Sequence, residues 1–465
     1  MSLTFRSMPL LALLLVACAG SPVQAPPAPV APEQWAVPDL SAGQAAAWAP
    51  LLDPALLALQ QRALDANTDI RRAALAWNAA QIQARQQGLR LQPSLNFSYG
   101  ANRPLQSKGA TVNVDGVLIP VSEAAQWSHS YTASVGASFE PDLWHRLAQL
   151  DAKQASLSEA ARGDIAAARL SIANQVADSY WTLIANQRFA AIATARLELA
   201  QRAVPLVTAR VREGKLVPLE INKAAGAVLA ARRQLGDAMA DAAKARANLA
   251  RLLDAPPPGP EVAATTLPAA LPAWAPDEPV QVLERRPDVR RARLEVDAAL
   301  ADTRSARAAR YPQLSFNAGI GTGGAKMSDW LGQPLLSLAS NLTVPLIDWR
   351  LLDLQEAQSR NALDVAALNL RDKVHAALAE VHNLLIEQRR IADARAAADD
   401  QLAQANESER IAKLKLDAGT IALADLLQAR IATFEAQQAV EQAGLDAVRN
   451  RLAMLRALAV HQGVW

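Results

Sequence analysis

A mainly α-helical chain with a small β part is predicted from three features of the 465 residues: an internal duplication, very long Ala- and Leu-rich stretches, and four short segments of alternating polarity. The duplication shows first in two polar breaks. "VREGKLVPLEINKA" (211–224) and "LDAGTIALADLLQA" (416–429) each hold a glycine followed six positions later by an acid, Gly214 with Glu220 and Gly419 with Asp425, at an offset of 205. "ANTDIRRA" (66–73) pairs with "RRPDVRRA" (285–292), and "RLQPSLNFS" (90–98) with "ARYPQLSFN" (309–317), at an offset of 219. "FEPDLWHR" (139–146) and "VPLIDWR" (344–350) return to 205, aligning Trp144 with Trp349. The first copy therefore carries 14 more residues than the second between its Pro93 and Trp144. A period near half the chain means one supersecondary unit used twice.

At the N-terminus, Arg6, the apolar run "MPLLALLLVA" and small residues up to Cys18 describe a secretory signal over 1–17. The run falls below the ~18 residues that span a bilayer as a helix. Cys18 directly after Leu15-Val16-Ala17 resembles the bacterial lipobox, whose cysteine is lipid-modified and begins the mature chain. Ala19 follows it, which favours delivery to the outer membrane. Residues 18–53 then read as a lipid-anchored, Pro/Ala-rich segment with no core-forming pattern.

Periodicity of two marks the strands. In "SLNFSYGAN" (94–102), Leu95, Phe97, Tyr99 and Ala101 share one face against Ser94, Asn96, Ser98 and Gly100. In "SYTASVGASF" (130–139), Tyr131, Ala133, Val135, Ala137 and Phe139 oppose Ser130, Thr132, Ser134 and Ser138. The second copy repeats the scheme with Leu314, Phe316, Ala318 and Ile320, then Leu338, Leu342, Val344 and Leu346. Each copy thus offers one hairpin, 94–139 and 312–347. A soluble hairpin over a core alternates in the same way, but no other strand-rich region supplies a partner sheet. Four strands cannot close a membrane barrel, which needs at least ~8. An open edge in hydrocarbon leaves backbone groups unpaired, so several chains must pool their strands. Two chains or three remain open at this point, and only the larger ring leaves an appreciable lumen.

The rest is helical. Leu143–Arg212 and Trp349–Asp417 are 70 and 69 residues with little to interrupt them except Pro205, or ~100 Å at ~1.5 Å per residue. Shorter runs, Val217–Leu253 and Ile421–Ala457, follow the glycine breaks, and Pro54–Gln92 and Val280–Tyr311 lead into the strands. Each copy reads as one long helix beside two short ones end to end. The copies occupy 54–253 and 280–457, joined by the Pro-rich linker 254–279 and followed by a tail at 458–465. Seven-residue recurrence of Val176, Leu183, Ala190, Leu197, Val204 and Val211, and of Leu363, Leu370, Ala377, Leu384, Ile391, Ala398 and Ala405, marks coiled-coil seams. Asp142 and Asp348 stand where they cap the long helices.

Several functions are disfavoured. A formal net charge of +2 offers no basic face for nucleic acid. One cysteine allows neither an internal disulfide nor a zinc cluster. His375 and His382 lack a third ligand and are read as structural, so no metal site and no cofactor are expected. There is no phosphate-binding glycine loop and no nucleophile beside a base, so no catalytic residue is assigned.

"FEPDLWHRL", "LERRPDVRRARLEVDAALADTRSARAARYPQLSFNAGIG" and the paired glycine turns resemble the outer membrane efflux family, in particular the TolC/OprM/NodT-type lipoproteins that serve resistance-nodulation-division (RND) pumps. The resemblance covers essentially everything after Cys18. It implies a homotrimer whose chains contribute four strands each to a 12-stranded transmembrane β-barrel, continued by a long coiled-coil α-helical barrel across the periplasm. It implies as partners a periplasmic adaptor (membrane fusion) protein, an inner-membrane RND pump and outer-membrane lipid. The two glycine turns become the periplasmic tips, with Gly214, Lys215, Leu216, Gly419, Thr420 and Ile421 facing the adaptor. Glu220 and Asp425 fall on the acidic pore positions near the constriction, where rings of acids favour cations. The competing reading is that both acids stabilise helix N-termini. Where the best-known member uses a tyrosine and an arginine as a latch, this chain has Leu416 and Ile421. Trp127, Trp144 and Trp349 fit interfacial belts, and packing at strand-to-helix junctions fits the latter two equally.

The expectation is a passive outer-membrane exit duct of a tripartite efflux pump, lipid-anchored and reaching into the periplasm. A type I secretion duct shares the architecture, and a non-conducting periplasmic coiled-coil lipoprotein is the alternative of a different class.

Overall fold

The computed structural model describes residues 23–32, 35, 51, 53–103, 105–106, 109–114, 117–122, 126–127, 129–262, 266–268, 271, 278–324, 326, 334–345 and 348–459. Cys18 lies outside the described residues. The chain divides into two compact units, each drawing on both sequence copies: 1–27, 78–159 and 294–368 in one, and 28–77, 160–293 and 369–465 in the other.

Helices α1 (Pro54–Ala66) and α2 (Thr68–Leu89) lead to strand β1 (Ser94–Asn102). Strands β2 (Leu105–Gln106), β3 (Gly109–Val114), β4 (Val117–Ser122), β5 (Gln126–Trp127) and β6 (Ser130–Phe139) follow. The long α3 (Arg146–Arg212) and the shorter α4 (Leu219–Leu252) complete the first copy. The second copy runs α5 (Pro279–Arg285), α6 (Pro287–Ala308), β7 (Gln313–Gly324), β8 (Leu335–Thr343), α7 (Trp349–Asp417) and α8 (Leu423–Ala457).

The long helices are 67 and 69 residues. Pro205 does not end α3, which continues for two more turns. Among the described residues no helix is long and apolar enough to cross a membrane.

Both helices expected to run unbroken into the strands are interrupted, and at equivalent places. Asn67 and Arg286, related by the offset of 219, adopt extended ψ values of 131° and 123°. Pro287 disfavours helical geometry at Arg286. In the first copy Asn67 does the work by hydrogen bonding: its Oδ1 accepts from Asp69 N–H at 2.9 Å, and its Nδ2 donates to the Leu252 carbonyl at 2.9 Å. Arg286 makes the matching contact, Nη1 to the Ala457 carbonyl at 2.7 Å. The breaks thus tie the start of each second helix to the end of α4 or α8.

In the helical unit, α1, α3, α4, α7 and α8 share one apolar core that includes Leu59, Val176, Tyr180, Ile184, Leu249, Val381, Leu385, Val448 and Met454. The seam on α7 is largely buried, at Leu363, Leu370, Ala377, Ile391 and Ala398. On α3 only Val176 and Leu183 are buried, and the seam residues beyond them are half-exposed. Linker residues Val262, Leu267 and Leu271 also pack on this core, and Arg246 fastens the linker through the carbonyls of Gly259 and Pro260.

In the sheet unit, β1, β6, β7 and β8 form one antiparallel sheet in that order. Phe97 lies opposite Val135, Val135 opposite Ile320, and Ile320 opposite Leu336, so residues of like polarity share a face across the sheet. The hairpin 94–139 does not turn directly: β2 pairs with β5 and β3 with β4 inside it. These inner strands take up the residues by which the first copy exceeds the second.

Candidate functional site: a two-faced sheet and two helical tips

Pleating puts successive side chains on opposite faces. One face carries Leu95, Phe97 and Tyr99 on β1, Val135 on β6, Ile320 on β7 and Leu338 on β8, all exposed, Leu95 and Leu338 to 79% and 78%. Contiguous apolar side chains left this open need a non-aqueous neighbour. The opposite face is built of Ser, Thr, Asn, Gln, Gly and Ala apart from Leu335, with Ser98 and Ser134 hydroxyls 2.7 Å apart. Gly136 and Gly323 belong to it. A Cβ at Gly136 would lie 2.5 Å from the Asn96 amide oxygen, and one at Gly323 3.1 Å from the Tyr131 carbonyl. Two strands, β1 and β8, keep an open edge.

The junctions between strands and long helices are held by aromatic and ionic contacts. Trp144 donates from Nε1 to the Pro312 carbonyl at 2.7 Å and stacks on Tyr311, with centroids 4.8 Å apart. The Arg310 guanidinium sits 4.5 Å above the Trp349 ring and pairs with Asp353 and Glu356. Glu356, only 2% exposed, also pairs with Arg360. Trp144 and Trp349 are therefore packing residues at this junction, and Trp349 stays half-exposed. Trp127 belongs to β5, outside the four-stranded sheet. Asp142 caps α3 by accepting from Leu147 N–H at 3.1 Å and Ala148 N–H at 2.7 Å. Asp348 supplies its carbonyl to Leu352 N–H at the start of α7.

At the tips the two copies end their long helices identically. Gly214 has φ +74° and Gly419 φ +73°. Gly214 N–H donates to Val211 O and Lys215 N–H to Arg210 O at 3.0 and 2.9 Å; Gly419 N–H and Thr420 N–H repeat this to Leu416 O and Lys415 O, both at 2.9 Å. This paired bonding is the Schellman arrangement, which satisfies helix-end carbonyls through a left-handed residue. A Cβ on either glycine would meet nothing within 4 Å, so the backbone angle and not space requires glycine there.

Lys215 is exposed and pairs with Glu213 at 2.8 Å, holding the Glu213 carboxyl below its usual range through the hydrogen bond and the positive charge. Leu216 and Ile421 are half-buried just past the turns, while Thr420 is exposed and donates its hydroxyl to the Lys415 carbonyl at 3.0 Å. Glu220 stands in the first turn of α4, paired with Lys223 at 2.7 Å. Asp425 stands in the first turn of α8, and its Oδ2 accepts from Ala422 N–H at 3.0 Å. That is the acid's half of a capping box, which Ala422, having no polar side chain, cannot reciprocate. Glu220, Lys223, Arg196, Val207, Leu427 and Ile431 line a cavity of about 210 Å³ between α3, α4 and α8.

The Glu220–Lys223 pair was readable as an i,i+3 spacing and the Asp425 cap as an acid three residues into a helix. The contacts of Trp144 with Tyr311 and Pro312 had no sequence signal, because they join residues more than a hundred positions apart.

A sheet greasy on one side and polar on the other, open at both edges and continued by helices of 67 and 69 residues, is the build of an outer-membrane channel subunit. The outer membrane efflux protein family matches residues 59–255 and 279–460, and this chain belongs to that family. It is 28% identical to the pyoverdine export outer membrane protein OpmQ of Pseudomonas aeruginosa, over 96% of this chain and 94% of that one. It is 27% identical to the antibiotic efflux pump outer membrane protein ArpC of Pseudomonas putida, over 98% and 96%. A crystal structure of a membrane protein from Pseudomonas aeruginosa superposes with a TM-score of 0.82 at 25% identity, covering 94% of this chain and 99% of that one. The chain is thus an outer-membrane exit duct for efflux, with its strands in the membrane and its helices in the periplasm.

Proposed function

We propose that the duct is a passive homotrimer serving a tripartite efflux system, in which an inner-membrane RND pump supplies the energy and a periplasmic adaptor meets the helical tips. The single observation that carries this is the four-stranded sheet with two chemically different faces and two unpaired edges. Backbone groups at such edges cannot be left in hydrocarbon, and joining β8 of one copy to β1 of the next removes every edge. Three copies give twelve strands, enough for an aqueous lumen lined by the Ser/Asn/Gly face.

The names of the relatives, an exporter of pyoverdine and an antibiotic efflux component, support small molecules as cargo. Cys18 would carry the lipid anchor. Trp127, Trp144 and Trp349 would lie toward the ends of the membrane band. Gly214, Lys215, Leu216, Gly419, Thr420 and Ile421 would form the adaptor-facing tip, and Glu220 and Asp425 the acidic constriction. The local partners of both acids favour a tip whose charges also hold its own helix starts in place.

Planar-bilayer recording of the purified protein tests the reading. A cation-selective current is expected, raised in conductance and lowered in selectivity by Glu220→Gln with Asp425→Asn. A soluble monomer, or a trimer with no current in any of these forms, refutes it.

A further inference from the structure

Duplication lets one copy serve as a control for the other, and one difference between them has chemical content. At the end of α8, Arg456 pairs with Glu380 of α7 at 3.2 Å, and Arg286 joins the same carboxylate at 2.8 Å. Shifting by 205 places Arg251 at the end of α4 where Arg456 stands, and Gln175 of α3 where Glu380 stands; shifting by 219 puts Asn67 at Arg286. The first copy has kept one guanidinium and lost the carboxylate that answers it. Arg251 is left with neither an ion pair nor a side-chain hydrogen bond among the described residues.

Arg251 borders a cavity of about 380 Å³. One wall is a continuous polar face of α3, Ser171, Asn174, Gln175, Asp178 and Ser179, at the spacings that align on a helix. The other walls come from the last turns of α4 and α8, with Asn248, Arg449 and Arg456 beside Arg251. The floor is buried, with Asn174 7% and Leu252 2% exposed. Three arginines face one lining carboxylate, Asp178, which Arg449 already engages at 3.3 Å. Arginines in a last helical turn also complement the helix dipole. That accounts for a positive residue at each helix end, but not for a polar hollow between them.

We infer that this cavity binds a dianionic oxyanion of the phosphate-monoester type, which supplies the carboxylate the first copy lacks. Asp178 answers Arg449 and Glu380 answers Arg456, so Arg251 leaves one positive charge in excess at the lining, and guanidinium forks match tetrahedral oxyanions in geometry as well as charge. Ser171, Ser179 and Asn248 add neutral hydrogen-bonding groups that can complete the shell. A volume of 380 Å³ lies at the small end of ligand pockets, ~300–1,000 Å³. The same phosphate could come from a soluble metabolite or from a lipid headgroup.

The test uses the purified full-length protein and inorganic phosphate, titrated against chloride at matched ionic strength, with Tm and calorimetric heat as readouts. A saturable rise in Tm with phosphate alone is expected. Arg251→Gln should weaken phosphate binding at least tenfold. Gln175→Glu should abolish it while raising the phosphate-free Tm, because it restores the internal pair of the second copy. Arg233→Gln, the same charge loss elsewhere on α4, should leave it unchanged. Glycerol 3-phosphate and short-chain phosphatidic acid then separate the two sources, the tighter binder naming the class. Equal responses to phosphate and chloride, or full binding in Gln175→Glu, overturn the inference, and either result stands apart from whether the protein conducts.

Discussion

Asp425 is where two accounts of one carboxylate can be separated. Its Oδ2 accepts the Ala422 amide at 3.0 Å, so Asp425→Ala leaves that amide and the first turn of α8 to water. Loss of a capping interaction costs about 0.5–2 kcal/mol, typically ~1. The site is exposed, which places the expected value near the low end. At ~1.4 kcal/mol per factor of ten, local opening of residues 422–426 should rise roughly two- to fivefold, readable by amide hydrogen exchange on the assembled protein. Asp425→Asn keeps an oxygen acceptor and removes the charge. Exchange should therefore be nearly normal in Asn and fast in Ala, whereas the cation preference of the current should fall equally in both. If Asp425→Ala leaves exchange at 422–426 unchanged, the cap assigned to this side chain is wrong.

Four further outcomes follow from the contacts. Gly419→Ala forces a left-handed angle on a residue with a Cβ but creates no clash, so the tip should lose ~1–2 kcal/mol, with Gly419→Asn recovering part of it in the same exchange experiment. Phe97→Arg on the apolar face should cost ~2–4 kcal/mol near the membrane midplane and deplete folded protein in outer-membrane fractions, while the neighbouring Ser98→Arg should insert. Arg286, 9% exposed, holds Asp288, Glu380 and the Ala457 carbonyl; Arg286→Ala leaves two carboxylates that are themselves partly exposed, so it should lose about 1.5–3 kcal/mol as lost charged hydrogen bonds, seen as a lower unfolding midpoint. Burial acts to raise the Asp288 carboxyl, but the Arg286 hydrogen bond and charge outweigh it and hold the group below its usual range. A carboxyl lowered by folding contributes stability above its unfolded value of about 4 and loses it as pH falls through the folded value, so Asp288→Asn should flatten the acid limb of thermal stability below about pH 4.

Much of this was legible because repetition amplifies weak signals. The alternation in 94–102 and 130–139 is modest taken singly, yet its return at 313–324 and 335–343 made four strands the economical reading. Gly214 and Gly419 announced a helix reversal, and the Schellman bonds supply its physical form. The breaks at Asn67 and Arg286 were less visible. Pro287 flags the second, whereas Asn67 ends α1 through a bond to Leu252, 185 positions away. Strands β2 and β5 are two residues each and β4 is an unalternating apolar run with a proline, so only β3, with Ala110, Val112 and Val114 against Gly109, Thr111 and Asn113, carries a two-residue period in that stretch. Glu220 and Asp425 came from family resemblance, and their local partners could not be separated from a pore role by spacing alone. Nor could the sequence show that Glu356 sinks to 2% exposure between two arginines, since burial of a charge depends on what folds over it.

The polar side of the membrane sheet bears on what passes through it. From Ser94 to Thr343 its described strand positions hold hydroxyls, amides and bare glycine backbone, with Leu335 and Ala339 the exceptions and without one ionisable group. A wall of that kind neither attracts nor repels a solute by its sign, and its glycines leave no side chain to sieve by shape. Sorting of cargo then falls to some other part of the path, so exchanging this stretch of wall should leave the exported repertoire unchanged.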